Sequence, residues 1–358
     1  MPPPAAAPII PIALITGFLG SGKTTLLNAL LRHPAMRDTA VIVNEFGEIG
    51  LDHLLIETAF EDALLLKSGC ICCTVRGDLT DTILTLRDRR QRGELPPFAR
   101  IAIETTGLAD PAPIIATLAE EPRLAEFAAL GSVLVTVDAV NGASQLQSSY
   151  ESVKQAALAD ALILTKTDLA DAATRAALEA VLRAINPAAA IHEAVKGAIA
   201  PALLFESAAA AAGRDRLAAA AHGASTAHDG HSDDRDHLLR HHGIHSFTLT
   251  HDAPLSWPAL QQWLEALASL KGPDLLRLKG LVDVAGRRGP VLINAVQHVF
   301  HPPQELARWP DADHRTRLVF ITRNIPEAAI INSFAAIVAA APAESDPEMP
   351  AGLPGRSP

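Results

Sequence analysis

Six short apolar runs recur through the first half of the chain: IALIT (12–16), AVIVN (40–44), ALLLK (63–67), RIAIE (100–104), SVLVTVD (132–138) and ALILT (161–165). Most lack the alternation of a strand with one wet face, and their continuity predicts strands buried on both faces, as in a parallel sheet. Between several of them the period changes to that of a helix, at TTLLNALLRH (24–33) and DLTDTILTLRDRRQR (78–92). Strands alternating with helices predict an α/β domain, doubly wound around a mostly parallel sheet, over residues 9–205.

The texture changes near residue 205. Residues 206–243 are Ala-rich, then polar and His-rich, and are expected to form a linker. A second pattern fills 244–341. It reads as a strand at HSFTLTH (245–251), a helix at SWPALQQWLEALASL (256–270), and strands at 275–284, 290–300 and 317–323. A last helix begins near Pro326. This predicts a smaller α+β domain with an antiparallel sheet. Residues 1–8 and 342–358 have the composition of disordered tails, and no internal repeat is visible.

Composition narrows the function. Apolar residues make up 49% of the 358, enough for a sizeable core, and the formal net charge is −10. So acidic a chain has no general attraction for nucleic acid or anionic lipid. The densest basic run, RDRRQRG (87–93), reads as the solvated end of a helix. No window holds the ~18 unbroken apolar residues of a membrane span. The first residues lack the basic region of a cleavable leader. Three cysteines cannot form a closed disulfide framework. The expectation is a soluble protein of a reducing cytoplasm.

The most specific motif is GFLGSGKTT, Gly17 to Thr25, between a predicted strand and a predicted helix. It fits G-x-x-x-x-G-K-S/T. Glycines Gly17, Gly20 and Gly22, with Ser21, let backbone N–H groups turn inward around a polyphosphate at a helix N-terminus. Lys23 is expected to reach the β- and γ-phosphates, and the Thr24 hydroxyl to bind Mg²⁺, with Thr25 beside it. LTKTD (164–168) is similar to the N-K-x-D guanine motif, with Thr165 in place of the Asn. Asp168 would accept from guanine N1–H and the 2-amino group, a donor pair that adenine lacks, and the Lys166 stem would lie along the base. In IETTG (103–107), Glu104 stands where nucleotide hydrolases place an acid for the metal, and Gly107 is a candidate γ-phosphate sensor on a switch loop.

All three cysteines, Cys70, Cys72 and Cys73, fall within SGCICC (68–73), read as a connecting loop after the strand at 63–67. Thiolates so close can share one ion, with Zn²⁺ the first candidate and Co²⁺ next. With no fourth cysteine the site is expected to keep an open position. In NEFGEIGLD (44–52), Glu45 can serve either Mg²⁺ or the thiolate-bound metal, while Glu48 and Asp52 read equally as solvated acids. Eight of the 14 histidines lie between His222 and His251, either a weak metal-binding run or a solvated linker.

Taken in order, GFLGSGKTT, NEFGE, GCICC, ETTGLADP and TKTD resemble the CobW family of P-loop GTPases, with UreG and HypB as more distant relatives. The ETTGLADP and TKTD forms look closer to its YjiA-like, zinc-chaperone members than to cobalamin-pathway CobW. The resemblance implies a P-loop fold with a CobW-type C-terminal domain. It implies GTP hydrolysis coupled to transfer of zinc or cobalt to a client metalloprotein, with the ion on Cys70, Cys72 and Cys73. A homodimer is a further possible partner. A metal buffer with weak turnover, a cobalt-delivery GTPase of cobalamin synthesis, a P-loop kinase and a thiol redox protein are the competing classes.

Overall fold

The computed structural model describes residues 9–44, 71–75, 78–205 and 239–342. In the first part the elements run β1 (Ile10–Gly17), α1 (Lys23–Leu31), β2 (Thr39–Asn44), β3 (Ile71–Val75), α2 (Leu79–Gln91), β4 (Arg100–Thr105), α3 (Pro111–Glu120), α4 (Pro122–Ala125) and β5 (Ala128–Asp138). Then follow α5 (Gly142–Ser148), α6 (Tyr150–Leu158), β6 (Ala161–Thr165), α7 (Ala172–Ile185), β7 (Ala190–Ala194) and α8 (Ala202–Phe205). The remainder contains β8 (Ile244–His251), α9 (Trp257–Lys271), β9 (Leu275–Val282), β10 (Val291–Val296), β11 (Val299–Phe300), β12 (Gln304–Glu305), β13 (Thr316–Arg323) and α10 (Glu327–Phe334). Two compact units result. The first comprises Met1–Gly142, Ala161–Arg175 and Ile191–Ser207; the second comprises Ala143–Asp160, Ala176–Ala190 and Ala208–Pro358.

In the first unit seven strands make one sheet in the order β3-β2-β4-β1-β5-β6-β7. The pairings that join β3, β2, β4, β1, β5 and β6 are all parallel. The continuous apolar runs are buried on both faces, as their patterning predicts. Ala13 and Ile15 of β1, with Val41 and Val43 of β2, pack beneath Leu26, Leu27, Leu30 and Leu31 of α1. The alternate residues Ile12, Leu14, Ile42 and Ile103 are equally inaccessible on the opposite face. Helix α2 starts where Asp78 caps the Thr80 N–H at 2.8 Å, and it ends with Arg89 and Arg90 in its last turn. Those charges suit the negative end of the helix, and Arg87 and Arg90 also lie over the rings of Phe127 and Phe98. The run RDRRQRG therefore does belong to a helix end.

The structure corrects the placement of the cysteine motif. Ile71–Val75 is not a loop but strand β3, paired with β2 so that Cys72 stands beside Val41 and Cys73 beside Ile42. The sequence ICCTV carries β-branched and small apolar residues, and a neighbouring strand with an open edge lets that preference win. The expected strand at 63–67 and residue Cys70 lie outside the described residues.

The second unit holds an antiparallel sheet, β11-β10-β9-β13-β8, with β12 paired to β10. One face carries Leu278, Val282, Val291, Ile293, Leu318 and Phe320, packed against Trp257 and Trp263 of α9 and Ile330 and Phe334 of α10. The single strand expected at 290–300 is in fact two. The chain reverses after Val296, which pairs with Val299, and Gln297 takes the positive φ of 53° that such a tight reversal needs. Apolar residues on both sides hid a turn made by two polar residues, Gln297 and His298. Residues 206–238, with most of the expected linker, and 343–358 lie outside the described residues.

The opposite face of this second sheet carries buried charge. Arg277 and Lys279 project from β9 onto Asp160, which Lys279 Nζ approaches to 3.4 Å; Arg277 also donates to the Leu158 carbonyl at 3.2 Å. Burial, then repulsion from Arg277, holds the His301 imidazole down at about 4; Asp160 pulls the other way and Lys279 adds to the lowering. His301 is therefore neutral in the folded protein at pH 5, while in the unfolded chain it takes a proton near pH ~6.5. Between those values the unfolded state binds more protons, so stability falls as pH falls from ~6.5 toward 4. Thermal unfolding across this window should show a steeper pH slope for the wild type than for His301→Gln. Equal slopes would remove His301 from the account.

Candidate nucleotide site

The site lies where β1, β4, β5 and β6 end. The loop after β1 turns through three glycines of positive φ, Gly17 (143°), Gly20 (70°) and Gly22 (89°), and hands the chain to α1 at Lys23. Gly17 has no substitute. A Cβ there would run into Oγ1 and the carbonyl of Thr136 and come within 2.8 Å of Ser21 Oγ. Gly20 faces open space at the rim.

Buried hydroxyls hold this loop from beneath. Ser21 Oγ and Thr136 Oγ1 share a hydrogen bond of 2.6 Å. Thr105 Oγ1 donates to Thr16 Oγ1 at 2.8 Å, linking β4 to β1. Thr165 Oγ1 donates to the Ser21 carbonyl at 2.7 Å, linking β6 to the loop. The Thr at the first position of T-K-T-D thus ties the base-reading segment to the phosphate loop. The Ser21 hydroxyl is turned into the protein, which leaves this residue's backbone to the loop.

Lys23 is mostly buried, and its Nζ donates to the carbonyls of Gly17 at 2.8 Å and Phe18 at 3.2 Å. Thr24 Oγ1 donates to Glu104 Oε1 at 3.1 Å, although 80 residues separate them. Thr25 is exposed. Gly107, just past β4, sits directly on the phosphate loop. A Cβ there would come within 2.8 Å of the Leu19 backbone, so no larger residue fits without displacing one loop.

On the base side, Lys166 adopts a left-handed backbone (φ 55°) and its Nζ lies 2.7 Å from Asp138 Oδ2. Asp168 is exposed, two positions on. The structure therefore brings Gly17, Gly20, Ser21, Gly22, Lys23, Thr24, Glu104, Gly107 and Lys166 to one edge of one sheet. Thr16, Thr136 and Asp138 were not foreseen. Their only sequence signal is that each is a polar residue at or near the end of an apolar run on that edge.

The expected metal ligands are less visible. Cys70, Glu45, Glu48 and Asp52 lie outside the described residues, and so do His228, His231 and His237. Among the described residues no three His, Cys, Asp or Glu side chains gather as a metal site. His241 and His242 stack edge to face at 4.8 Å, and His242 bonds the Leu146 carbonyl at 3.1 Å. Gly243 (φ 65°) ends that turn, and His245 already belongs to β8. Also among the described residues, no helix is long and apolar enough to cross a membrane.

Comparison with known proteins gives the family of the two regions. The profile of the CobW/HypB/UreG nucleotide-binding domain matches residues 11–193, and that of the cobalamin synthesis protein cobW C-terminal domain matches residues 244–338. The zinc chaperone YjiA of Escherichia coli K12 is 32% identical over 330 residues, covering 92% of this chain and 98% of that protein. The zinc chaperone CobW of Pseudomonas aeruginosa is 32% identical over 361 residues, covering 90% of each. The crystal structure of Zn(II)-bound YjiA GTPase from E. coli superposes with a TM-score of 0.72 at 31% identity, over 92% of this chain and 99% of that one.

The Thr165 bond makes a direct prediction. Thr165→Val keeps the shape but leaves the buried Ser21 carbonyl without its donor, a loss of about 1–3 kcal/mol. Urea unfolding should show that loss, and Thr165→Ser should recover most of it. A Thr165→Val protein as stable as the wild type would mean the bond contributes nothing.

Proposed function

Because the chain belongs to the CobW/HypB/UreG nucleotide-binding family and carries the cobW C-terminal domain behind it, we propose that it is a GTP-hydrolysing metallochaperone. On this reading it holds a transition metal, zinc before cobalt, and couples nucleotide state to transfer of that metal to a client metalloprotein. The observation that carries the nucleotide half is the convergence of Thr24 and Glu104 at 3.1 Å beside Lys23 and the phosphate loop. A hydroxyl and a carboxylate so placed are the hard oxygen donors that Mg²⁺ takes, and they fit it. When bound, that ion supplies charge neutralisation between the β- and γ-phosphates.

This chain's own residues do the rest. The loop's N–H groups and the α1 N-terminus receive phosphate oxygens. The Lys23 ammonium exchanges the Gly17 and Phe18 carbonyls for the β- and γ-phosphates. Lys166 and Asp168 accept the guanine base. Gly107 rests on the Leu19 backbone, so a γ-phosphate that displaces the phosphate loop also displaces the loop after β4. No arginine finger is identifiable in the sequence, so hydrolysis by the protein alone is expected to be slow, with a client or a second copy completing the site.

The metal is the cargo, with the thiolates of Cys70, Cys72 and Cys73 as its holders and Glu45 as an oxygen ligand for it or for Mg²⁺. Strand β3, which carries Cys72 and Cys73, is hydrogen-bonded to β2, and β2 runs up to Glu45. Nucleotide and metal would thus act on strands of one sheet with β2 joining β3 to β4, and if each changes the other's affinity, linkage makes the two factors equal.

GTP turnover and GTP affinity of the wild type and a Cys70→Ser/Cys72→Ser/Cys73→Ser protein, with Zn²⁺ or Co²⁺ titrated under chelator control, test this. Metal should change turnover or affinity in the wild type only. If both proteins hydrolyse GTP alike and neither responds to metal, the coupling is absent.

A further inference from the structure

Asp138 closes β5 and is almost wholly inaccessible, at 1% side-chain exposure. Both its oxygens are engaged. Oδ1 accepts the N–H groups of Val140 at 2.8 Å and Asn141 at 3.2 Å, and Oδ2 accepts Asn141 Nδ2 at 3.0 Å and Lys166 Nζ at 2.7 Å. Burial alone would raise this carboxyl; donation by Lys166, Asn141 and the two backbone N–H groups outweighs it and leaves the carboxyl below its ordinary value. It is an anion at working pH, fixed in place before any ligand arrives.

Its partner is constrained twice. Lys166 holds a left-handed backbone that residues other than glycine seldom adopt, and Leu169 N–H closes the turn on the Lys166 carbonyl at 3.0 Å. The strand ends are joined as well, since Ala139 N–H donates to the Thr165 carbonyl at 2.9 Å. A free lysine stem samples many rotamers, and this one is held at its backbone and at its ammonium. One N–H of the ammonium is held by Asp138, so the methylene stem between that tether and the constrained backbone is fixed in direction, two positions before Asp168.

We propose that Asp138 is a positioning residue for the nucleotide base: it pins Lys166 so that the stem is ready to receive the purine ring, and it sets base affinity without touching the nucleotide. This rests on reading the site as a guanine-nucleotide site. The effect belongs to the base and not to the phosphates, which are held by a loop tied down by other bonds.

Binding of GDP, GTP, ATP and Mg²⁺-tripolyphosphate to wild type, Asp138→Asn, Lys166→Met and the double variant tests it, together with KM and kcat for GTP. Loss of a charged hydrogen-bond partner should weaken GDP binding and raise KM by about tenfold or more in Asp138→Asn, with kcat within about twofold. Lys166→Met keeps the stem but drops the tether. It should show a similar loss, with the double variant little worse than either. Tripolyphosphate should bind all four proteins alike. The proposal is overturned if Asp138→Asn binds GDP as tightly as wild type, if the two losses simply add, or if tripolyphosphate binding falls in step with GDP. Should Asp138→Asn not fold, Lys166→Met decides alone: nucleotide binding as tight as wild type would dismiss the tether. A wild type that prefers ATP to GTP would instead sink the guanine reading beneath it.

Discussion

One hydrogen bond, from the Thr165 hydroxyl to the Ser21 carbonyl, carries the logic of this site. A phosphate loop has to keep its N–H groups turned inward in the absence of anything to receive them, which is an unfavourable arrangement for isolated backbone. Here the reverse side of the loop is occupied. The Ser21 carbonyl is taken by Thr165, the Ser21 hydroxyl by Thr136, and the neighbouring strand ends are joined through Thr16 and Thr105. With its outward groups bonded into the sheet, the loop has little freedom left to relax. The same bond fixes the distance between the loop and the T-K-T-D segment, so one hydroxyl sets the spacing of the two halves of a nucleotide.

Much of this was legible in the sequence, and the reason is period. A strand buried on both faces and a helix buried on one leave patterns that single residues cannot disguise, and the predicted runs at 12–16, 40–44, 100–104, 132–138 and 161–165 fall within strands of the sheet. The phosphate loop was legible for a different reason: its glycines are dictated by backbone geometry, which no other side chain satisfies. What was not legible depended on contact. Thr165 looked like a weakened Asn because its worth lies in a partner 144 positions away. Asp138 looked like an ordinary strand end because the donor that gives it a role, Lys166, comes from 28 positions away. ICCTV was read as a loop because cysteine chemistry drew the eye from its β preference. The reversal at Gln297 was hidden because apolar residues continue on both sides of it.

The second unit shows how a sheet can be built with two unlike faces. One is an ordinary aromatic and aliphatic core under α9 and α10. The other buries Arg277 and Lys279 against Asp160. Such a group is poor value in stability, since apolar residues of like volume often do as well, but it tolerates few alternative pairings. Register on that face is thereby specified by charge and on the other by shape. A slip of one residue would exchange the faces and leave cations in the aromatic core.

The position of β1 has a consequence for how the chain is made. It is the centre of the parallel sheet, yet it is synthesised before both of its neighbours. Its neighbours β4 and β5 are paired to it only through residues far downstream, Ile12 meeting Ile101 and Leu130. At about 5–20 residues per second, the interval before β4 leaves the ribosome is roughly 5–20 s, during which β1 has no lasting partner. Its apolar run therefore has to be sheltered by something other than its sheet neighbours, and α1, which follows at once and packs on Ala13 and Ile15, is the next described helix to be made and covers one side of it.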